Sequence, residues 1–290
     1  MKKKIIFLFL FIPLMAFAQS GGESLPVHST EVAPGVYRLF VNERVATVLF
    51  SGPDGVILID AAYEQTATQL KAAIEAITQT PISYLVNTHH HGDHVGGNVA
   101  LGSNAIIISH QYVRDYVSSE HRAGERVIPA MAEEGRPDIS FLNELKLDFN
   151  GQTLQMLHLP KGHTNGDVII YFPESKVIVV GDLLFADNFP YVDVGSGGDP
   201  MGYILNQQYI LDNFPRDLTV IGGHGPIYTM ERLREYNLEL QKTVETVRIA
   251  KQQGMTAEQM KAARILREWE AWGKFFITED RWIDTLFPVL

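Results

Sequence analysis

Five histidines and two aspartates in this chain have the types and spacing of a metal centre. Four of them fall in Thr88-His89-His90-His91-Gly92-Asp93-His94, the spacing His-x-His-x-Asp-His. His163 follows in Gly162-His163-Thr164, Asp182 in Gly181-Asp182 and His224 in Gly223-His224-Gly225-Pro226. Imidazole nitrogens and carboxylate oxygens are ligands that suit zinc, and bound zinc turns water into a nucleophile near neutral pH. His89 and His91, two apart at the end of an apolar run, leave an extended backbone on the same side. His90 leaves on the other side and is expected to support the ligands. Gly92 is expected to let the chain turn sharply and bring Asp93 and His94 back. Four ligating groups in so short a stretch leave each ion under-coordinated, so His163, Asp182 and His224 are expected to complete the set. A surface histidine tract with incidental metal affinity accounts for neither the interposed aspartate nor the three later glycine-flanked partners. His28, His110, His121 and His158 read as ordinary core or surface histidines.

The elements that must carry these groups alternate along the chain. Val36–Phe40, Ala46–Ser51 and Val56–Asp60 are β-branched or aromatic runs bounded by Gly, Pro or Asn, and read as strands. Gln65–Thr78 places Leu70, Ile74 and Ile77 at helical spacing. The strand Ile82–Asn87 stops where the histidine cluster begins; Ala105–Ser109 predicts a further strand and His110–Ser119 a helix. Residues 121–143 mix charges with Gly124, Pro129, Gly135 and Pro137, and read as an inserted lid or loop. Strands resume at Thr153–Leu159, Val168–Phe172 and Val177–Val180, the first and last leading into metal motifs. Met201–Asn213 predicts a helix and Thr219–Ile221 a strand before His224. Met230–Gln252 predicts a long helix with Leu233, Tyr236, Leu240, Val244 and Val247 on one face, and Thr256-x-x-Gln259 has capping-box spacing. Strands, then alternating strands and helices with motifs at strand ends, predict a layered α/β architecture in one domain over residues 30–290. Trp269, Trp272 and Trp282 crowd near the C-terminus with Phe275, Phe276 and Phe287. There they either pack on the core, wall the substrate cleft or form a homodimer contact.

Of the 290 residues, the first 18 read as a cleaved signal peptide: Lys2-Lys3-Lys4, an apolar run, then Ala16-Phe17-Ala18 before Gln19. The apolar stretch is shorter than the ~20 residues of a membrane span, so a released periplasmic or secreted protein with no stable membrane anchor is expected. Residues 19–29 are polar, Gly-rich and expected to be loose. Loss of the leader removes three lysines and no acids, leaving 21 Lys and Arg against 34 Asp and Glu. A polyanion such as nucleic acid would need a basic track, which this balance does not supply; the expected partner is a small-molecule substrate. The chain has no cysteine, so neither disulfides nor thiolate ligands are available.

The whole pattern resembles the metallo-β-lactamase superfamily, over nearly all of the mature chain as far as His224. The resemblance implies an αββα sandwich, two mixed β-sheets flanked by helices, with the metals at one edge. It assigns His89, His91 and His163 to one ion, Asp93, His94 and His224 to a second, and Asp182 to both. It also implies that Asp60 supports the histidine loop, where the residues alone equally allow a strand-end cap. The missing cysteine departs from one β-lactamase subclass, and Asp182 departs from another and is similar to glyoxalase II and lactonase branches. The implied activity is hydrolysis of an ester, lactone, thioester or cyclic amide, with weak β-lactam turnover. A hydroxide held by two Zn2+ would attack the acyl carbonyl, with Asp93 orienting it and returning the proton to the leaving group. The basic cluster that glyoxalase II uses for glutathione is not evident. Leu183–Pro200 follows Asp182 directly, so Phe185, Phe189, Tyr191 and Ser196 are expected to line the cleft with the 121–143 segment. Two alternatives accompany this reading: a mono-iron persulfide dioxygenase-like oxidoreductase, and a non-catalytic metal-dependent binding module.

Overall fold

The computed structural model describes residues 26–290 apart from Gly124 and Glu125. The leader and residues 19–25 of the segment expected to be loose lie outside the described residues. The strands are β1 (Val27–Ala33), β2 (Val36–Val41), β3 (Val45–Gly52), β4 (Gly55–Ile59), β5 (Ile82–Val86), β6 (Ile106–His110), β7 (His121–Ala123), β8 (Arg126–Ile128), β9 (Ile139–Phe141), β10 (Glu144–Phe149), β11 (Gln152–His158), β12 (Val168–Phe172), β13 (Val177–Phe185), β14 (Thr219–His224) and β15 (Tyr228–Thr229). The helices are α1 (Ala67–Ile77), α2 (Gly92–Val95), α3 (Asn98–Gly102), α4 (Gln111–Val117), α5 (Pro200–Asn213), α6 (Met230–Gln252), α7 (Ala257–Ala263) and α8 (Glu279–Leu286).

Two mixed sheets result, one ordered β1-β2-β3-β4-β5-β6-β9 and the other β10-β11-β12-β13-β14-β15. Three apolar cores separate four layers, because strands buried on both faces send alternate side chains to opposite sides. Ile57 and Ile59 of β4 meet Val177, Val179 and Ile221 of the second sheet in the middle core. Val56 and Leu58 face the other way, onto Leu70 and Ile74 of α1. Ile178 and Val220 face a third core built with α5, α6, α7 and α8. This is the αββα sandwich. Among the described residues no helix is long and apolar enough to cross a membrane.

Two local expectations are corrected. Val27–Ser29 are not loose: they pair in register with Leu39–Val41 in the edge ladder β1·β2. The 121–143 segment is not one lid, since β7 and β8 form a separate hairpin while β9 adds to the first sheet parallel to β6. These three-residue strands are too short to show periodicity. The tryptophans belong to the core: Trp282 is fully buried and donates its Nε1–H to Thr243 Oγ1 at 2.9 Å, and Trp269 donates to Glu239. The Thr256–Gln259 capping box forms as its spacing predicts.

Candidate metal centre

The motif residues lie at strand ends, in the loops after strands or, for Asp182, at a bulge within a strand, and they meet at one edge of the sandwich. Asp60 follows β4, the histidine loop follows β5, His163 lies in the turn after β11, and His224 ends β14. Asp182 lies inside β13, where the register with β14 shifts on both sides of Gly181 and Gly181 takes φ +52°. A bulge of this kind re-aims a side chain, and here it turns Asp182 to the edge. Gly92 does not act through conformational freedom. Its φ is not positive, and one turn of helix α2, begun at extended His91, returns Asp93 and His94. The glycine that matters sterically is Gly223, where a Cβ would lie 1.9 Å from Asp182 Oδ1.

Two clusters share the Asp182 carboxylate. In the first, His163 Nε2 lies 2.8 Å from His91 Nδ1 and 3.2 Å from His89 Nε2, and the last two are 3.1 Å apart. In the second, His224 Nε2 lies 3.4 Å from Asp93 Oδ2, and His94 Nε2 lies 3.7 Å from it. Asp182 Oδ1 is 3.1 Å from His94 Nε2, and its Oδ2 is 3.4 Å from His163 Nε2 and 3.2 Å from His224 Nε2. Ligand atoms in each cluster come close enough together to hold one metal ion.

The outward face of each imidazole fixes what points inward. His163 Nδ1–H donates to the Tyr191 carbonyl at 2.8 Å, His224 Nδ1–H to the Arg44 carbonyl at 2.6 Å, His94 Nδ1–H to Asp60 Oδ2 at 2.7 Å and His91 Nε2–H to Asp193 Oδ2 at 2.9 Å. His89 Nδ1–H donates to Thr88 Oγ1 at 3.1 Å, and that hydroxyl donates to Asp60 Oδ2 at 2.7 Å. With every outer nitrogen protonated, every inner nitrogen presents a lone pair. Three lone pairs then converge in the first cluster, and buried His94 Nε2 and Asp182 Oδ1 have no hydrogen-bond partner. Buried acceptors facing one another are strongly unfavourable unless a positive charge lies among them. The donor set therefore fits divalent cations.

The protonation preferences divide the two clusters. Burial, then the neighbouring His94, holds His89 well below the ordinary imidazole range, and burial pushes His163 down to about 4. Burial pushes Asp182 up, but His224, His94, His89 and His163 outweigh it and hold the carboxyl well below its usual value. Burial lowers His94 as well, yet the carboxylates of Asp182, Asp60 and Asp93 hold it well above. His89 and His163 of the first cluster thus favour the neutral imidazole, and the second cluster attracts positive charge.

Both clusters open onto a cavity of about 660 Å3. Phe185 and Tyr191 line it, as do Phe275 and Phe276, for which a cleft wall was one of the readings, and Arg44, Tyr63, Asp193 and Lys274, none of which the sequence singled out. Phe189 and Ser196, expected there, are elsewhere: Phe189 packs against Trp272 and Trp282, and Ser196 donates its N–H to Asp193 Oδ1. Residues 128–132 line a neighbouring cavity of about 720 Å3, which meets the first at His91 and Gly92. His90 hydrogen-bonds no ligand; it is buried against the Tyr116 ring with centroids 3.8 Å apart. Its support is packing alone. Asp60 carries the histidine loop through Thr88 and His94, with Thr88 N also donating to it at 2.8 Å.

A profile of the metallo-beta-lactamase superfamily matches residues 42–224, and the chain belongs to that superfamily of metallo-hydrolases. It is similar to a hydroxyacylglutathione hydrolase of a Synechococcus species, 30% identical over 68% of this chain and 76% of the relative. A second such enzyme, from Rhizobium meliloti, is 27% identical over 59% of this chain and 61% of its own length. Among solved structures, a metallo-beta-lactamase from Pontibacter korlensis aligns with TM-score 0.62 at 21% identity, covering 74% of this chain and 99% of that one.

Proposed function

We propose that this chain is a two-zinc hydrolase of an acyl thioester or a closely related ester, lactone or cyclic amide. The observation that carries the proposal is the pair of three-ligand clusters sharing Asp182 at the floor of an open cavity, each imidazole oriented by an outer partner. Thioesters stand first because curated relatives bear the name hydroxyacylglutathione hydrolase.

His89, His91 and His163 would hold one cation, Asp93, His94 and His224 the other, and Asp182 would serve both. The cations would supply Lewis acidity that lowers the pKa of water and polarises the carbonyl. Asp93 is the group of the centre that can move a proton, because its carboxylate is partly exposed to the cavity while Asp182 is buried. It accepts a proton from the attacking water as the new C–O bond forms. It then delivers that proton to the leaving sulfur as the C–S bond breaks, so an acid and a thiol leave. Export, which the leader motif supports, would place this reaction in the periplasm or outside the cell.

The test combines elemental analysis with turnover of a chromogenic thioester. Two zincs per chain and hydrolysis that collapses in Asp182→Ala are expected. One iron per chain with sulfur oxygenation, or an Asp182→Ala variant with both metals and full rate, would refute the proposal.

A further inference from the structure

Two cavities meet at the histidine loop, and they differ in chemistry. Beside its aromatic residues, the metal cavity of about 660 Å3 carries charges of both signs on Arg44, Lys274, Asp93, Asp182 and Asp193. The neighbouring cavity of about 720 Å3 has no lysine or arginine among its lining residues, and Glu64 is its one carboxylate. Its walls are largely apolar: Val95 of α2, Val99 of α3, Val117 of α4, Ile128 of β8 and Met131 beyond it. Val95 and Val117 belong to a small buried core against which Tyr116 and Met131 pack, so part of this wall is held in place by packing. Each cavity alone falls within the roughly 300–1,000 Å3 that takes a drug-sized ligand.

Gly92 sits where the two cavities join, since it and His91 line both. Its backbone gives no reason for a glycine: φ is not positive, and the residue opens helix α2, where most side chains fit. Packing gives none either, because a Cβ there would meet no atom within 4 Å. Gly96 and Gly97 differ, since a Cβ at those positions would strike the Gly92 and Ala61 carbonyls. What the missing side chain at Gly92 leaves open is the way from one cavity to the other, and a larger residue would stand in it.

We infer that the acyl group of the substrate is an extended aliphatic chain that passes over Gly92 from the metals into the second cavity, where Val95, Val99, Ile128 and Met131 surround its far end. The inference rests on the hydrolase reading, which also sets its direction. Asp93 Oδ2 lies 3.4 Å from His224 Nε2 and 3.7 Å from His94 Nε2, so the sulfur that takes its proton departs on the second-cluster side. The acyl part is left on the His91 side, where the passage opens. An aliphatic chain gains there by leaving water, whereas an anionic group would find no lysine or arginine to pair with. Gly92 and the wall of the second cavity thereby set the chain length that the enzyme accepts.

N-acetylcysteamine thioesters from acetyl to octanoyl, offered to the metal-loaded full chain, test this. The expected kcat/KM rises about two- to fourfold per methylene, the upper figure being full burial of a CH2 at about 0.8 kcal/mol. S-octyl thioacetate, which carries its chain on sulfur, shows no gain that Gly92→Leu removes. Gly92→Leu closes the passage and lowers the octanoyl-to-acetyl ratio at least about tenfold, and Val99→Asn, away from the metals, lowers it roughly threefold. Each ratio is taken within one variant, so altered metal content or folding cancels. Calorimetry with ketone analogues of the acetyl and octanoyl thioesters, in which a methylene separates sulfur from carbonyl, reads binding without turnover. Chain-dependent binding that Gly92→Leu weakens, with no thioester cleaved, would uphold the passage and refute the hydrolase reading. A flat series, a rise that both variants leave untouched, or a Gly92-dependent gain for S-octyl thioacetate would overturn the passage and leave the hydrolase reading standing.

Discussion

Asp60→Asn isolates the contribution of a single buried carboxylate that touches no substrate. Asp60 Oδ2 accepts from both Thr88 Oγ1 and His94 Nδ1, and its Oδ1 accepts from Thr88 N. An asparagine of the same shape can present its oxygen to one side only. With the amide nitrogen at the Oδ2 position, two donors face a third. The His94 proton then moves to Nε2, where it points into the second cluster, and the Thr88 hydroxyl turns to donate to His89 Nδ1. His89 in turn becomes protonated on its inner nitrogen, so one ligand of each cluster is blocked. With the amide reversed, its nitrogen faces Thr88 N–H instead, and the histidine loop shifts. A hydrogen bond to a charged group contributes about 1.5–3 kcal/mol, which matches the roughly 10–100-fold loss of metal affinity that outer-partner substitutions produce. The linkage to both clusters places Asp60→Asn near the upper end. The backbone is not penalised, because Asp60 has φ +60° and asparagine tolerates that region as well as aspartate. Competition with a chromophoric zinc chelator measures the affinity, and long-range 15N spectra of the imidazoles read the tautomers. Parent affinity with His94 still protonated on Nδ1 would refute the reasoning.

Gly223→Ala should displace Asp182, because a contact of 1.9 Å must open by more than 1 Å. A shift of that size lowers turnover on the order of 100-fold while the melting temperature of the metal-free chain stays near that of the parent; unchanged kcat would refute it. A pH effect should appear away from the centre. Burial, then the stacked His158 ring 3.6 Å away, pushes His110 down to about 4, against opposing contributions from the Leu142 carbonyl and Asp115. The unfolded chain takes up a proton near pH 6.5, so the stability this group contributes is complete above that pH. It is lost as the pH falls towards 4. Metal-free His110→Gln should therefore show a shallower fall of melting temperature between pH 6.5 and 4 than the parent. Parallel curves would contradict the assignment.

How far the sequence reached depends on the kind of signal. The candidate ligand set was legible because His-x-His-x-Asp-His is local: two histidines two apart on extended chain must share a side, whatever surrounds them. The long helix Met230–Gln252 was legible because its apolar stripe repeats over six turns, and the Thr256 cap because its partners are three residues apart. Short edge strands such as β1 and β9 were not, since neighbours in space decide whether three to seven residues pair. Asp193 was out of reach for a related reason: nothing near it in sequence marks a carboxylate whose partner, His91, lies 102 positions away. Phe189 and Ser196 were placed at the cleft because they share a loop with Tyr191, but which side of a loop faces the site is fixed by what packs behind it, here Trp272 and Trp282.

By itself, then, the order of residues determined which groups could grip cations and that layered strands would carry them. Only the tertiary structure decided which nitrogen of each imidazole points inward, because that depends on acceptors from distant strands. It alone also brought Arg44 and Tyr63 to the wall of the same cavity as Lys274, Phe275 and Phe276 from the far end of the chain. Charge and shape at the site come from convergence across both sheets and the C-terminal segment, and convergence leaves no periodic trace in a linear chain.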